Sequence, residues 1–244
     1  MEKNRNFAEL IANYPLLAHA LNLQKLLIVL RATQPHRYSV ASSPLVNSGV
    51  AKLCVGVEDL QVSYHQGLCS GFLKRAEVGH TIWIRSRASQ DSFHLPSDPT
   101  VPVIMVAAGT GISVFLGFLE LRRAQGIKTE DPGGQAPFRL FYGTCHHDMA
   151  NLKVLLQMYV DEGVVVREVA FSEGDGSRRF AQQLLTRDGL KIWSDLRNNG
   201  RVYACGSSAR VGAGVRSSLM RIAEQLGGVT DSADRLVTRL SQHL

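Results

Sequence analysis

Cysteine and long apolar runs are both scarce in this chain of 244 residues. The four cysteines form no CxxC pair, which excludes a zinc ribbon and a redox dithiol motif. The apolar run LLIVL at 26–30 is far shorter than the roughly 20 residues that span a bilayer, and the N-terminus lacks a signal-peptide pattern. We therefore expect a cytoplasmic chain with reduced thiols and no membrane span.

Charge of one sign is not concentrated in any part of the chain. The net charge is +6, and residues 1–100 and 101–244 each contribute +3. Binding to a nucleic-acid backbone requires a clustered basic stripe, so we expect no nucleic-acid partner.

The hydrophobic pattern divides the chain into three parts. Residues 1–35 carry apolar positions at helical spacing with a break at Tyr14-Pro15, which predicts a helical lead-in of two short helices. Residues 36–98 contain the short β runs RYSVAS, VAKLCVGV and HTIWIRS, which predict part of an antiparallel barrel. Residues 99–244 alternate strand and helix patterns, which is typical of a doubly wound parallel sheet. The fold class is therefore α/β.

The alternation in the last part predicts specific elements. The predicted strands are 102–107, 138–143, 164–170 and 201–204. The predicted helices are 112–124, 151–161 and 209–226, with helical stretches at 179–198.

Small and polar residues follow the ends of these predicted strands. Gly109-Thr110-Gly111 comes between an apolar strand and a helix, where backbone N–H groups can approach a phosphate. The strands that follow end in FYGTCHHDM, VAFSEGDGSRR and VYACGSS. Carboxyl ends of parallel strands share one edge of the sheet, so these residues predict a ligand crevice, although a plain glycine turn explains the first motif equally well.

Two further features are better explained without a ligand. Cys145-His146-His147-Asp148 lacks a second cluster to complete a metal site, so we expect no metal. Cys205, taken alone, reads as a buried small apolar residue.

The order of the motifs is more specific than any one of them. HRYSVASSP, GLCSGFL, FHLP, VPVIMVAAGTGI, LFYGTC, VAFSEGDGSRRFAQQLL and VYACG resemble, in order and spacing, the FAD/NADPH half of the diflavin reductases over about residues 5–240. The resemblance implies a ferredoxin-NADP reductase-like NADP domain at 99–244, a partial FAD-binding β-barrel at 36–98 and a remnant of the connecting region at 1–35.

The resemblance also implies the cofactors FAD and NADPH and a set of site residues. Tyr38 would stack on the flavin, Ser39 would hydrogen-bond its reactive nitrogen, and Cys205 would lie near the reactive carbon of the nicotinamide, which makes Ser39 and Cys205 the catalytic candidates. The residues implied for FAD are His36, Arg37, Tyr38, Ser39, Cys54, Val55, Gly56, Gly67, Leu68, Cys69 and Ser70. The residues implied for NADPH are Gly109, Thr110, Gly111, Ser172, Glu173, Arg178, Arg179 and Gln182.

Several positions depart from the family pattern. His36 stands where the family has an arginine, and Glu173 stands where a cation holds the 2′-phosphate of NADPH. We therefore expect FAD binding to be weak or absent, and a modest preference for NADPH over NADH. The first strands of the family's barrel precede HRYS and are absent, so we expect a fragment of a longer reductase, a second chain that completes the barrel, or a loss of the flavin.

Two functions follow from the resemblance. The first is an NADPH-dependent flavoprotein oxidoreductase module that passes hydride from NADPH to FAD and electrons on to an FMN domain or a flavodoxin-like acceptor protein. The second is a degenerate, non-catalytic relative that binds a nucleotide or a partner protein.

Overall fold

The structure is a computed structural model, and it describes residues 7–30, 35–57, 67–88, 93–129, 136–144, 150–171, 180–206 and 211–227. Contacts along the chain divide it into two compact units, 1–37 and 38–244. The predicted boundary between residues 98 and 99 lies inside the second unit, so the division into three domains stays a prediction. In the described part of the chain, no helix is both long and apolar enough to cross a membrane.

The first unit contains three short helices where the sequence pattern predicts two. They are α1 (Phe7–Asn13), α2 (Pro15–Ala20) and α3 (Leu23–Val29). Pro15 starts α2 because its fixed φ suits the first turn of a helix and its missing N–H is not needed there. Asn22 caps α3, since its side-chain oxygen accepts the Lys25 N–H at 2.9 Å.

The second unit is built on a parallel sheet of four described strands. They are β1 (Val103–Ala108), β2 (Phe138–Thr144), β3 (Val166–Phe171) and β4 (Arg201–Cys205), in the order β3-β2-β1-β4. Val103 lies opposite both Phe138 and Arg201, so β1 is central and its two neighbours start level with it. The predicted α/β class and the parallel sheet are confirmed.

Helices cover both faces of the sheet. On one side, Met105 of β1 packs in a buried cluster with Phe115 of α5 (Ile112–Ala124) and with residues of α6 (Ala150–Asp161). On the other side, three helices cover the sheet: α7 (Ala181–Arg187), α8 (Gly189–Arg197) and α9 (Ala213–Gly227). Ile104 and Val106 of β1 share a buried cluster with residues of all three helices, including Leu219 of α9. The strand VIMVAA is apolar throughout because both of its faces are buried. The predicted helical stretches at 179–198 are α7 and α8, which meet at Asp188.

The segment between residues 35 and 102 has little regular structure. Within its described residues, the elements are α4 (Leu68–Arg75) and an isolated antiparallel bridge between Val40 and Leu53. The β run HTIWIRS at 80–86 is exposed along its length and belongs to no ladder. A strand forms only where a neighbour satisfies its N–H and C=O groups, so the predicted partial barrel is not confirmed.

Aromatic side chains attach the end of this segment to the sheet domain. Phe93 stacks on Phe115 and meets Tyr203 of β4 edge to face, with ring centroids 6.4 and 5.4 Å away. The Tyr203 hydroxyl donates a hydrogen bond to the carbonyl oxygen of His94. The chain around residue 93 is therefore held against α5 and β4.

One ion pair joins the sheet to α8. The Arg139 Nε of β2 lies 2.6 Å from Asp195 Oδ2, and both side chains are largely buried. Removing one partner of a buried pair leaves an uncompensated charge, so we expect Asp195→Ala to lower the free energy of unfolding by about 3 kcal/mol. Urea denaturation measures this change.

The matched control is Glu162→Ala. Glu162 pairs with Arg123 at the same distance, 2.6 Å, but both side chains are partly exposed. An exposed pair contributes at most about 1 kcal/mol, so this variant is expected to lose less than a third as much stability. Equal losses in the two variants would contradict the assignment of the Arg139–Asp195 pair as a buried structural contact.

Candidate functional site

The glycine turn after β1 is the centre of the candidate site. Gly109–Gly111 forms one turn of 3₁₀ helix between β1 and α5, and Gly109 has a φ of +54°. A Cβ on Gly111 would lie 2.3 Å from the carbonyl oxygen of Cys205 at the end of β4. Only glycine permits this approach, and it sets the first N–H groups of α5 beside the carboxyl end of β4.

Cys205 is placed by the same packing. Its side chain is half-buried against the cluster that contains Ala107 and Met105 of β1. Burial raises the pKa of the Cys205 thiol, and a hydrogen bond to the Gly206 backbone only partly opposes this. The thiol is therefore protonated at neutral pH, which suits a small polarizable contact surface rather than a nucleophile.

Residues of the two predicted subsites meet at this turn. The Ser113 hydroxyl of α5 lies 3.2 Å from the carbonyl oxygen of Cys54 and 2.9 Å from that of Thr110. A Cβ on Gly56 would lie 2.9 Å from the Thr110 Cγ2. The structure thus brings Gly56, implied for FAD, beside Thr110, implied for NADPH, and joins the Cys54 carbonyl to Ser113 of α5.

A second contact ties the chain before Cys54 to the same helix. The Ser43 N–H donates to Glu120 Oε2, and Lys52 Nζ lies 2.7 Å from Glu120 Oε1. Burial raises the pKa of Glu120, but the hydrogen bonds from Lys52 and Ser43 outweigh it, so the net shift is downward. Glu120 is therefore ionised at neutral pH.

Tyr38 lies near the start of α4. Burial raises the pKa of its hydroxyl, and the nearby Cys69 thiol raises it further, so Tyr38 and Cys69 are close enough to interact. Ser70 is buried in the first turn of α4, behind Gly67. Tyr38 is therefore a neighbour of a helix start that is itself made of four residues implied for FAD, 67–70.

The remaining predicted site residues are not all placed. His36 and Arg37 are exposed and belong to the first unit, and Ser39, Leu68 and Gly109 are exposed in the second. Gln182 lies in α7, where its side chain packs on Gly214 of α9. Ser172, Glu173, Arg178 and Arg179, and the 145–148 cluster, lie outside the described residues.

The sequence patterns missed one face of α5. Thr110, Ser113, Gly117 and Glu120 recur at intervals of three and four residues and all contact the chain between residues 40 and 56. A glycine and a glutamate inside the apolar run ISVFLGFLELRRA were the available signal.

No protein-family model matches the chain. It is 34% identical over 239 residues to the sulfite reductase [NADPH] flavoprotein alpha-component of Shewanella sp. (strain MR-7), which covers 94% of this chain and 38% of that protein. The corresponding protein of Salmonella typhimurium is 31% identical over 226 residues, 90% of this chain and 36% of that protein. A bifunctional cytochrome P450/NADPH–P450 reductase of Bacillus cereus is 30% identical over 242 residues, 96% of this chain and 22% of that protein.

Over most of its length the chain is therefore similar to one part of these diflavin reductases. It spans 38% of the length of its sulfite reductase relative from Shewanella, so the comparison covers part of a diflavin reductase rather than a whole one. The predicted resemblance is confirmed. Beyond the sequence similarity, the structure shows that this chain has a parallel sheet and a glycine turn after β1.

The close approach of Gly111 to Cys205 gives a direct prediction. We expect Gly111→Ala to lower the free energy of unfolding by about 2 kcal/mol, because the added methyl group meets a backbone carbonyl that cannot rotate away. Thermal or urea denaturation measures the loss.

Gly212→Ala is the control, since no described atom lies within 4 Å of a Cβ at that position. This variant is expected to stay within about 0.5 kcal/mol of the wild type. A Gly111→Ala protein as stable as the Gly212→Ala protein would show that β4 and the turn are not packed as described.

Proposed function

We propose that the chain is a module of an NADPH-dependent flavoprotein oxidoreductase, which passes hydride from NADPH to FAD and electrons on to an FMN domain or a separate acceptor. The approach of Gly56 to Thr110 carries the proposal, because residues implied for the two cofactors lie side by side there: a Cβ on Gly56 would be only 2.9 Å from Thr110 Cγ2, and the Ser113 hydroxyl bridges the Cys54 and Thr110 carbonyl oxygens. The printed names of the relatives, an NADPH flavoprotein and an NADPH–P450 reductase, support it.

The residues around the glycine turn fit a nucleotide diphosphate. A Cβ on Gly109 would meet no atom of the described residues within 4 Å. The Ile112 N–H bonds back to the Gly109 and Thr110 carbonyl oxygens, but this end of α5 still carries the positive end of the helix dipole, which attracts phosphate oxygens. We infer that Gly109, Thr110 and Gly111 would bind the pyrophosphate of NADPH.

The FAD side fits a flavin through the residues near α4. Tyr38 is half-buried and offers an aromatic face, and the start of α4 at Gly67 and Leu68 offers backbone N–H groups for a phosphate. The hydride chemistry belongs to the two cofactors when they are bound. This chain's own contribution would be to orient them and, at the Ser39 hydroxyl, to hold or give up a proton.

A chain that completes the barrel is part of this proposal. Val78, Trp83 and Ile84 are each more than 80% exposed, and residues 81–88 belong to no ladder in the described structure. An exposed apolar run with unpaired backbone groups is a template for strand addition. We propose that further strands, from another part of a longer chain or from a partner, cover this run.

The location follows from the thiols. Cys54, Cys69 and Cys205 are free, which supports the proposal of a reducing, cytoplasmic compartment.

Reduction of added FAD by NADPH tests the proposed function. We expect the purified chain to bind FAD weakly enough to lose it on dialysis, and to reduce added FAD when NADPH is supplied without oxygen. Cys205→Ala should slow the reduction about tenfold, about 1.4 kcal/mol in the barrier, with FAD affinity unchanged. Absorbance of the oxidised flavin follows the reaction.

The control is Cys69→Ala, which alters a residue implied for FAD and should change affinity for FAD more than the reduction rate. A chain that binds neither FAD nor NADPH would overturn the proposal and favour the non-catalytic, partner-binding relative.

The nucleotide preference tests the implied 2′-phosphate loop. Because Glu173 replaces a cation, we expect the wild type to prefer NADPH over NADH only modestly. Glu173→Arg should raise that preference about tenfold, because the new guanidinium gains charge-assisted bonds to the 2′-phosphate. Arg178→Ala should remove most of the preference, because such bonds are lost. Titration with both nucleotides measures the ratio. An unchanged ratio in Glu173→Arg would show that the 2′-phosphate binds elsewhere.

A further inference from the structure

Glu120 is a buried carboxylate on the helix that carries the glycine turn. It lies near the end of α5, and only 8% of its surface is exposed. A carboxylate at such a position costs free energy unless both of its oxygens are satisfied. Both are, since one oxygen accepts the Ser43 N–H and the other lies 2.7 Å from the Lys52 ammonium.

The two partners of Glu120 are the two arms of one loop. Ala41 N–H donates to the Lys52 carbonyl at 2.7 Å, and Val40 bridges to Leu53. We call residues 40–53 the arch. Glu120 therefore holds both arms of the arch at the point where they close.

Other contacts also hold the arch to α5. Its tip, residues 44–50, is exposed, and Leu45 and Val46 are more than half accessible. The arch also approaches the helix closely at Gly117, where a Cβ would lie 3.3 Å from the Val40 carbonyl oxygen, and Ala41 is buried in the cluster that contains Phe115 of α5. Apolar packing and close approach hold the arch against α5, and Glu120 is the polar contact that fixes its two arms.

The arch connects the residues implied for the flavin. Tyr38 and Ser39 precede it, and Cys54 and Gly56 follow it. The 3₁₀ turn directly before α5 carries Thr110, implied for NADPH. A shift of the arch along α5 would therefore move both flanking segments, the one with Tyr38 and Ser39 and the one with Cys54 and Gly56, relative to the glycine turn.

We propose that Glu120 is a positioning residue that locks the arch on α5 and thereby sets the spacing between the FAD side and the NADPH side of the site. The lock itself stands on the contacts above, and its meaning for catalysis rests on the proposed function. Among the described residues, Arg123 of α5 and Tyr159 of α6 also interact electrostatically with Glu120, and Glu162 pairs with Arg123.

Hydrogen–deuterium exchange of the full chain without cofactors tests the lock. We expect Glu120→Ala to speed exchange of amides in 41–46 about tenfold while β1 and the first turns of α5 stay protected. Glu120→Gln should have a smaller effect, since its amide oxygen still accepts the Ser43 N–H. Lys52→Met should also have a smaller effect, since Ser43 keeps its acceptor.

Glu162→Ala is the matched control. It removes an exposed ion pair with Arg123 of the same helix and does not touch the arch, so exchange in 41–46 should stay at the wild-type rate. Unchanged exchange in Glu120→Ala and Glu120→Gln would overturn the lock.

Affinities for the two cofactors test the positioning role. Glu120→Ala should weaken FAD binding about tenfold, about 1.4 kcal/mol, and change NADPH binding less than about twofold. Two results would overturn the positioning role, even if Glu120→Ala speeds amide exchange in the arch. One is an equal loss of affinity for FAD and for NADPH, and the other is an unchanged affinity for FAD. If the wild type binds no FAD, the proposed function fails, and the exchange result still decides whether Glu120 locks the arch.

Discussion

The absence of a side chain at Gly111 is the constraint on which the candidate site depends. Because the turn after β1 can press against the Cys205 carbonyl, α5 starts directly beside the end of β4. From that start, one face of the helix runs under the chain between residues 40 and 56 and touches it at Ser113, Gly117 and Glu120. A displaced helix start would move each of these contacts together.

Buried charged side chains join other pairs of structural elements. Arg139 joins β2 to α8, and Glu120 joins α5 to the arch. Arg122 is also buried, over the Phe138 ring at 4.4 Å, and burial lowers its pKa to about 10, so it remains protonated at neutral pH. Each such charge is costly to leave unpaired, which favours a single arrangement of the elements it joins.

The parallel sheet could be predicted from the sequence because each of its strands has a local sequence pattern. Each buried strand of a parallel sheet is a continuous apolar run followed by an amphipathic helix, as VIMVAA and α5 illustrate. The barrel strands could not be predicted as reliably, because HTIWIRS is a strand only if a neighbour pairs with it. The role of Glu120 was not predictable, since its partners Ser43 and Lys52 lie far away in the sequence and meet it only in the folded chain. The proposed 2′-phosphate loop lies outside the described residues.

Backbone amide chemical shifts during a titration with NADP⁺ test most directly whether the glycine turn and the flavin-side segment form one site. We expect the largest shifts at 109–113 and at Cys205 and Gly206, with smaller shifts at 54–56, because these residues are in contact. Shifts confined to other parts of the chain, with 109–113 unchanged at saturation, would contradict the site.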